Sequence, residues 1–149
     1  MTIGPTVAGG LKLVPEEDQD WVVLLEIAND GDGDLSKRLA GLMDEESMWE
    51  EIVVPELEEE FKRQRLEVVM AVIKAKSEGE AVHIDKETAE TWYGALNQAR
   101  LELEARYHFG PREHLAPHEI KDEAARAALY RSDFYSTVQN LLLRYVMVE

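Results

Sequence analysis

At 149 residues, 45% of them hydrophobic and 32% charged, the chain can bury one substantial core and is too apolar to be disordered. Lys and Arg number 16 against 31 Asp and Glu, a formal charge of −15 that repels both a phosphate backbone and an anionic lipid surface, so neither nucleic acid nor membrane is an expected partner. Cysteine is absent, which removes disulfides, thiol catalysis and thiolate metal sites; with no signal-peptide pattern in MTIGPTVAGGLKLVP, a cytoplasmic setting is expected.

Residues 1–14 read as an extended N-terminal arm, because Gly4, Pro5, Gly9 and Gly10 disfavour helix, and Leu11 to Val14 suit a short strand. Pro15 suits a first helical position, followed by Glu16, Glu17 and Asp18 at the positive end of the dipole. Trp21, Leu24, Leu25 and Ala28 then mark a buried face, and Asn29-Asp30-Gly31 ends the helix. A second helix is expected over Leu35 to Met43 with Asp34 as its cap, and Ser47-Met-Trp-Glu50 has the form of a capping box for a third.

Pro55 either kinks that third helix or starts another. From Glu56 to Lys76 the pattern is helical, solvated at first through Glu58/Lys62 and Glu59/Arg63, then apolar nearly all round through Leu66, Val68, Val69, Met70, Val72 and Ile73, as if entering the centre of the domain. Gly79 stops it, and Ala81 to Ile84 is a connection able to extend. Asp85 to Phe109 is the next helix, with an apolar stripe of Trp92, Leu96, Ala99 and Leu103 and a stop at Gly110-Pro111. The closing segment, about Pro117 to Met147, is one long helix or two joined near Ser132-Asp133. Phe134, Leu141, Leu142 and Tyr145 form its apolar stripe, while Leu143 and Val146 are expected to point away from it and to seed a homodimer seam. The expected fold class is all-α, a single-domain bundle of five or six helices over residues 15–149.

Asp30-Gly-Asp-Gly-Asp34 carries the first three oxygen ligands of a calcium loop, but Leu35 stands where the loop needs glycine and Gly41 where it needs a bidentate carboxylate, so a cap-rich turn is the expectation. Glu80/His83, His114/His118 and Glu104/His108 have ligand-like spacings, yet the first lies in a loop, Pro117 interrupts the second, and the third reads as a helix-end pair. No phosphate loop, nucleophile elbow or zinc-protease motif is present, so no catalytic residue, metal or cofactor is assigned. The acidic run from Asp44 to Glu60 is a solvated face or a surface for a basic partner.

Beside the stripe of the Asp85 helix run Tyr93, Asn97 and Arg100. Asn97 and Arg100 are helix-surface neighbours whose expected role is structural, with Arg100 paired to a carboxylate; the sharper reading is a recognition site for a carboxylate or peptide backbone, with Tyr93 alongside.

WYGALNQARLEL resembles, through Trp92, Leu96, Asn97, Arg100 and Leu101, an uncharacterised and mainly actinobacterial family of short helical proteins catalogued as a domain of unknown function. A preceding helix like Val54 to Ala75 and a closing helix like Tyr130 to Val146 extend the resemblance over the last two thirds of the chain. Genes of that family often lie beside that of the Clp protease adaptor, which implies a link to regulated proteolysis. The expected function is thus a non-catalytic, self-associating interaction or regulatory module; the alternative is a small helical enzyme with a carboxylate, His and Arg100 pocket.

Overall fold

A computed structural model describes the backbone of residues 1–43 and 47–148, and their side chains except at 40, 42–53 and 117. The first fourteen residues form a hairpin rather than a free arm. Strands β1 (Thr2–Pro5) and β2 (Leu11–Val14) pair antiparallel with Thr2 opposite Val14 and Pro5 opposite Leu11. The turn needs its glycines: Gly9 has φ +87°, and a Cβ on Gly10 would stand 2.7 Å from the Ile84 carbonyl oxygen. Strand β3 (Val82–Ile84), in the connection expected to extend, adds to the other edge of β2 with Leu11 opposite Ile84 and Leu13 opposite Val82. Side chains alternate, so Leu11, Leu13, Val82 and Ile84 are buried while Lys12 and His83 face water. Pro5, which cannot donate to a ladder, lies on the edge strand. The fold is therefore mainly helical with a small three-stranded antiparallel sheet, a correction to the all-α expectation. Strands of three and four residues are too short to show a period of their own.

Five α-helices follow among the described residues: α1 (Asp18–Asp30), α2 (Leu35–Met43), α3 (Ser47–Glu78), α4 (Ala89–Tyr107) and α5 (Glu123–Tyr145). Helix α1 starts three residues after Pro15, because the Asp20 carboxylate turns back to accept from the Glu16 and Glu17 amides at 2.8 and 3.2 Å. Its inward face is Val23, Leu24 and Ile27, rotated from the expected stripe; Trp21 and Leu25 pack at the core margin. The Ser47–Glu50 box rests on side chains outside the described residues. Helix α3 runs 32 residues without interruption at Pro55. It presents Val68, Val72 and Ala75 to the core but leaves Leu66, Met70 and Ile73 more than half exposed, so it lies along the surface rather than through the centre.

The central place belongs to α4, which packs against α1, α2, α3 and α5 and buries Trp92, Ala95, Leu96, Ala99 and Leu103. It begins after Thr88, whose amide donates to Asp85 Oδ1 at 2.9 Å, and ends where His108 takes the left-handed conformation. Two short 3-10 turns (Arg112–His114, Pro117–Glu119) lead to α5, capped by Asp122 and continuous through Ser132-Asp133. Val146, expected to point outward, is buried at 2% exposure just beyond the last turn of α5, whereas Leu143 is exposed.

Candidate functional site

The richest polar cluster surrounds the Asp30–Asp34 loop between α1 and α2. Asp30 is 3% exposed and accepts two bonds from the Arg131 guanidinium on α5, Nε at 2.7 Å and NH2 at 3.0 Å, with a third from the Tyr135 hydroxyl at 2.6 Å. The Asp30 carboxylate raises the Arg131 pKa, while burial and then the same carboxylate push that of Tyr135 well above the usual phenol range. Arg106 of α4 donates to the Asp30 and Asp32 carbonyls, each at 3.3 Å. Arg65 of α3 lies 3.8 Å from Asp32, and Arg38 of α2 lies 3.3 Å from Asp34. Four helices thus each send one arginine to the loop whose spacing resembles a calcium site, and guanidinium groups hold it where a cation would. Among the described residues no three His, Asp or Glu side chains gather to hold a metal.

Two further polar layers continue beneath this loop. Gln98, 1% exposed, accepts from Arg65 NH1 at 2.8 Å and donates to Gln64 Oε1 at 2.8 Å and to the Phe61 carbonyl at 3.3 Å. Glu102, 4% exposed, is paired with Arg38. Sequence reasoning passed over Gln98 and Glu102, one turn apart on a polar flank of α4 away from its apolar stripe, and Arg131 and Tyr135, which are one turn apart on α5. A carboxylate in the last turn of α1, against the helix dipole and without a basic neighbour there, was the available signal.

Tyr93, Asn97 and Arg100 remain together on α4 but do different things. Gln139 of α5 donates to the Tyr93 carbonyl at 3.3 Å and to Asn97 Oδ1 at 3.4 Å, so these two serve the α4–α5 seam. Arg100 NH2 donates to Asn97 Oδ1 at 3.1 Å, and that is its only bond among the described residues. Its Nε is buried without a partner among the described residues, where no carboxylate pairs with it, contrary to the expected pairing. Glu104, one turn along, instead accepts from the Gly110 amide at 2.8 Å rather than pairing with His108. Arg100 borders a cavity of about 350 Å³ shared with Arg112, Ser132 and Ser136. Arg112 is engaged there by Asp133 at 2.8 Å, Ser132 Oγ at 3.2 Å and the Gly110 carbonyl at 3.0 Å.

No helix among the described residues is long and apolar enough to cross a membrane. No curated protein and no solved structure matches the chain. A family model described as a domain of unknown function, DUF2017, matches residues 43–146, from the last residue of α2 to Val146 just beyond α5. With that match spanning well over half of its length, the chain belongs to the DUF2017 family.

Proposed function

We propose that this protein is a non-catalytic cytoplasmic interaction module that works as a homodimer through the outer face of α3. The observation that carries the reading is the stripe Leu66, Met70 and Ile73, spaced as successive contacts on one helix face and 53%, 60% and 54% exposed. Exposed charges of both signs flank the stripe, Glu58, Glu59, Glu60, Lys62 and Arg63 before it and Lys74, Lys76 and Glu78 after it. An antiparallel two-fold pairing lays Leu66 against Met70 of the other copy, whereas an in-register parallel pairing would oppose every one of these charges to its own like. On α5, where Val146 is buried, Leu143 and Tyr145 leave a smaller apolar surface for a different protein partner. A link to regulated proteolysis is part of the proposal and rests only on the gene neighbourhood that the sequence resemblance implies. Tyr93, Asn97 and Arg100 are proposed as the binding edge of the module, with Arg100 at the cavity and Tyr93 and Asn97 holding that edge against α5.

Light scattering across a concentration series tests the reading. The unmodified protein is expected to reach the dimer mass, and Met70→Glu to remain monomeric with unchanged helical circular dichroism. A protein that stays monomeric at high micromolar concentration refutes the dimer.

A further inference from the structure

We propose that the cavity bordered by Arg100, Arg112, Ser132 and Ser136 is a receptor for a carboxylate group, with Arg100 as its principal donor. This goes beyond the dimer reading and does not depend on it. In a chain with 31 acidic residues, a half-buried arginine that finds no carboxylate needs a reason. Arg38, Arg63, Arg65, Arg112 and Arg131 each have an acidic partner; Arg100 has one side-chain amide. Its buried Nε has no bond to any described residue, a state that costs free energy until an acceptor arrives and a small shift of the side chain meets it.

The surroundings select the guest. A guanidinium matches the planar, two-oxygen head of a carboxylate. Ser136 borders the same space, so its hydroxyl supplies a further donor. Glu104 and Asp133 also line the cavity, and with the molecule at −15 they disfavour a dianionic phosphate more strongly than a monoanion. Leu101 and Pro111 give one wall apolar contact, and about 350 Å³ accommodates a single amino-acid residue rather than a nucleotide. The fitting guest is an acid with a short apolar substituent, either a free small acid or the C-terminal residue of a peptide.

The test follows Arg100 Nε–H in the full chain by nuclear magnetic resonance during titration with N-acetyl-leucine, N-acetyl-leucinamide and inorganic phosphate. The acid is expected to shift the Arg100 signal saturably, the amide and phosphate not. Ser136→Ala should weaken the acid about tenfold, the usual loss for one hydrogen bond to a charged group. Arg100→Gln should abolish the response of the neighbouring Ser132 and Ser136 amides. An N-acetylated tetrapeptide ending in leucine distinguishes the sources: tighter binding than N-acetyl-leucine assigns the site to peptide termini, equal binding to small acids. Because the acid and amide are compared on the unmodified protein, a poorly folded Arg100→Gln does not blunt the result. Equal shifts by acid and amide, a larger shift by phosphate, or no saturable shift overturns the proposal. A monomeric protein that binds the acid alone would sink the dimer and leave this site standing.

Discussion

Asp30 occupies an adverse position for a carboxylate: buried, and in the last turn of α1, where the helix dipole is negative. It is held there by three donors from α5, two of them on one guanidinium. Removing a partner is therefore more costly than removing the whole group. Arg131→Met should lower stability by about 3–5 kcal/mol, because it strands a buried charge. Tyr135→Phe, which leaves the two-pronged Arg131 contact intact, should cost about 1–2 kcal/mol. Pairing Asp30→Asn with Arg131→Met should recover part of the loss, since no unpaired charge then remains buried. Urea denaturation of the three variants measures these differences. An Arg131→Met variant no less stable than Tyr135→Phe would show that the cluster is not the clasp between α1 and α5 that its distances describe.

The helix termini show how local chemistry positions whole elements. Hydrogen bonds from the Glu16 amide first, and then from Glu17, hold the Asp20 carboxyl below its ordinary value of 3.8. A lowered folded-state value means that the contribution is fully present above 3.8 and fades as the pH falls through the folded value. Asp20→Asn should thus lose about 1 kcal/mol at neutral pH, and the gap to the unmodified protein should close only below pH 3.8. A gap that persists at pH 2 would transfer the effect from charge to shape. Much of this layer is legible in the sequence. The α4 stripe, the stops at Gly31 and Gly79 and a long closing helix follow from spacing and stop residues, whereas the start of that helix at Glu123 rather than near Pro117 and the end of α4 at His108 rather than Gly110 do not. What is not legible has a common cause, the arrival of a partner from far along the chain. The sheet needs Leu13 to meet Val82, Asp30 needs Arg131, and Gln98 becomes a core residue only because Arg65 and Gln64 reach it from α3. Val146 misled for the same reason: just beyond the helix proper, its direction is set by the core it folds onto rather than by the period of α5. Tyr93, Asn97 and Arg100 share one edge of α4, and the sequence could not divide a helix seam from a cavity wall.

At the scale of the molecule, the family match begins at residue 43, yet the preceding hairpin and α1 share one core with the matched part. Strand β2 carries β3 on its edge, and Asp30 bonds to α5, so the two portions share a sheet and a buried polar contact as well as a core. The same unit carries −15, and two copies approaching each other repel over a range set by the ionic strength. That repulsion competes with the apolar burial proposed at the α3 seam, which exposed charges of both signs flank. Exposed pairs of such charges contribute at most about 1 kcal/mol each and are themselves screened by salt. The long-range term sums over every charge and acts across about 30 Å at 0.01 M salt but only about 8 Å at 0.15 M. Repulsion is therefore the larger salt-sensitive quantity, while burial of Leu66, Met70 and Ile73 is nearly indifferent to moderate salt. Dimerisation should strengthen between those two ionic strengths, the reverse of an assembly held by ion pairs. Sedimentation equilibrium at both salt concentrations measures the change, and a dimer that weakens as salt is added would assign the seam to its charged flanks rather than to the apolar stripe.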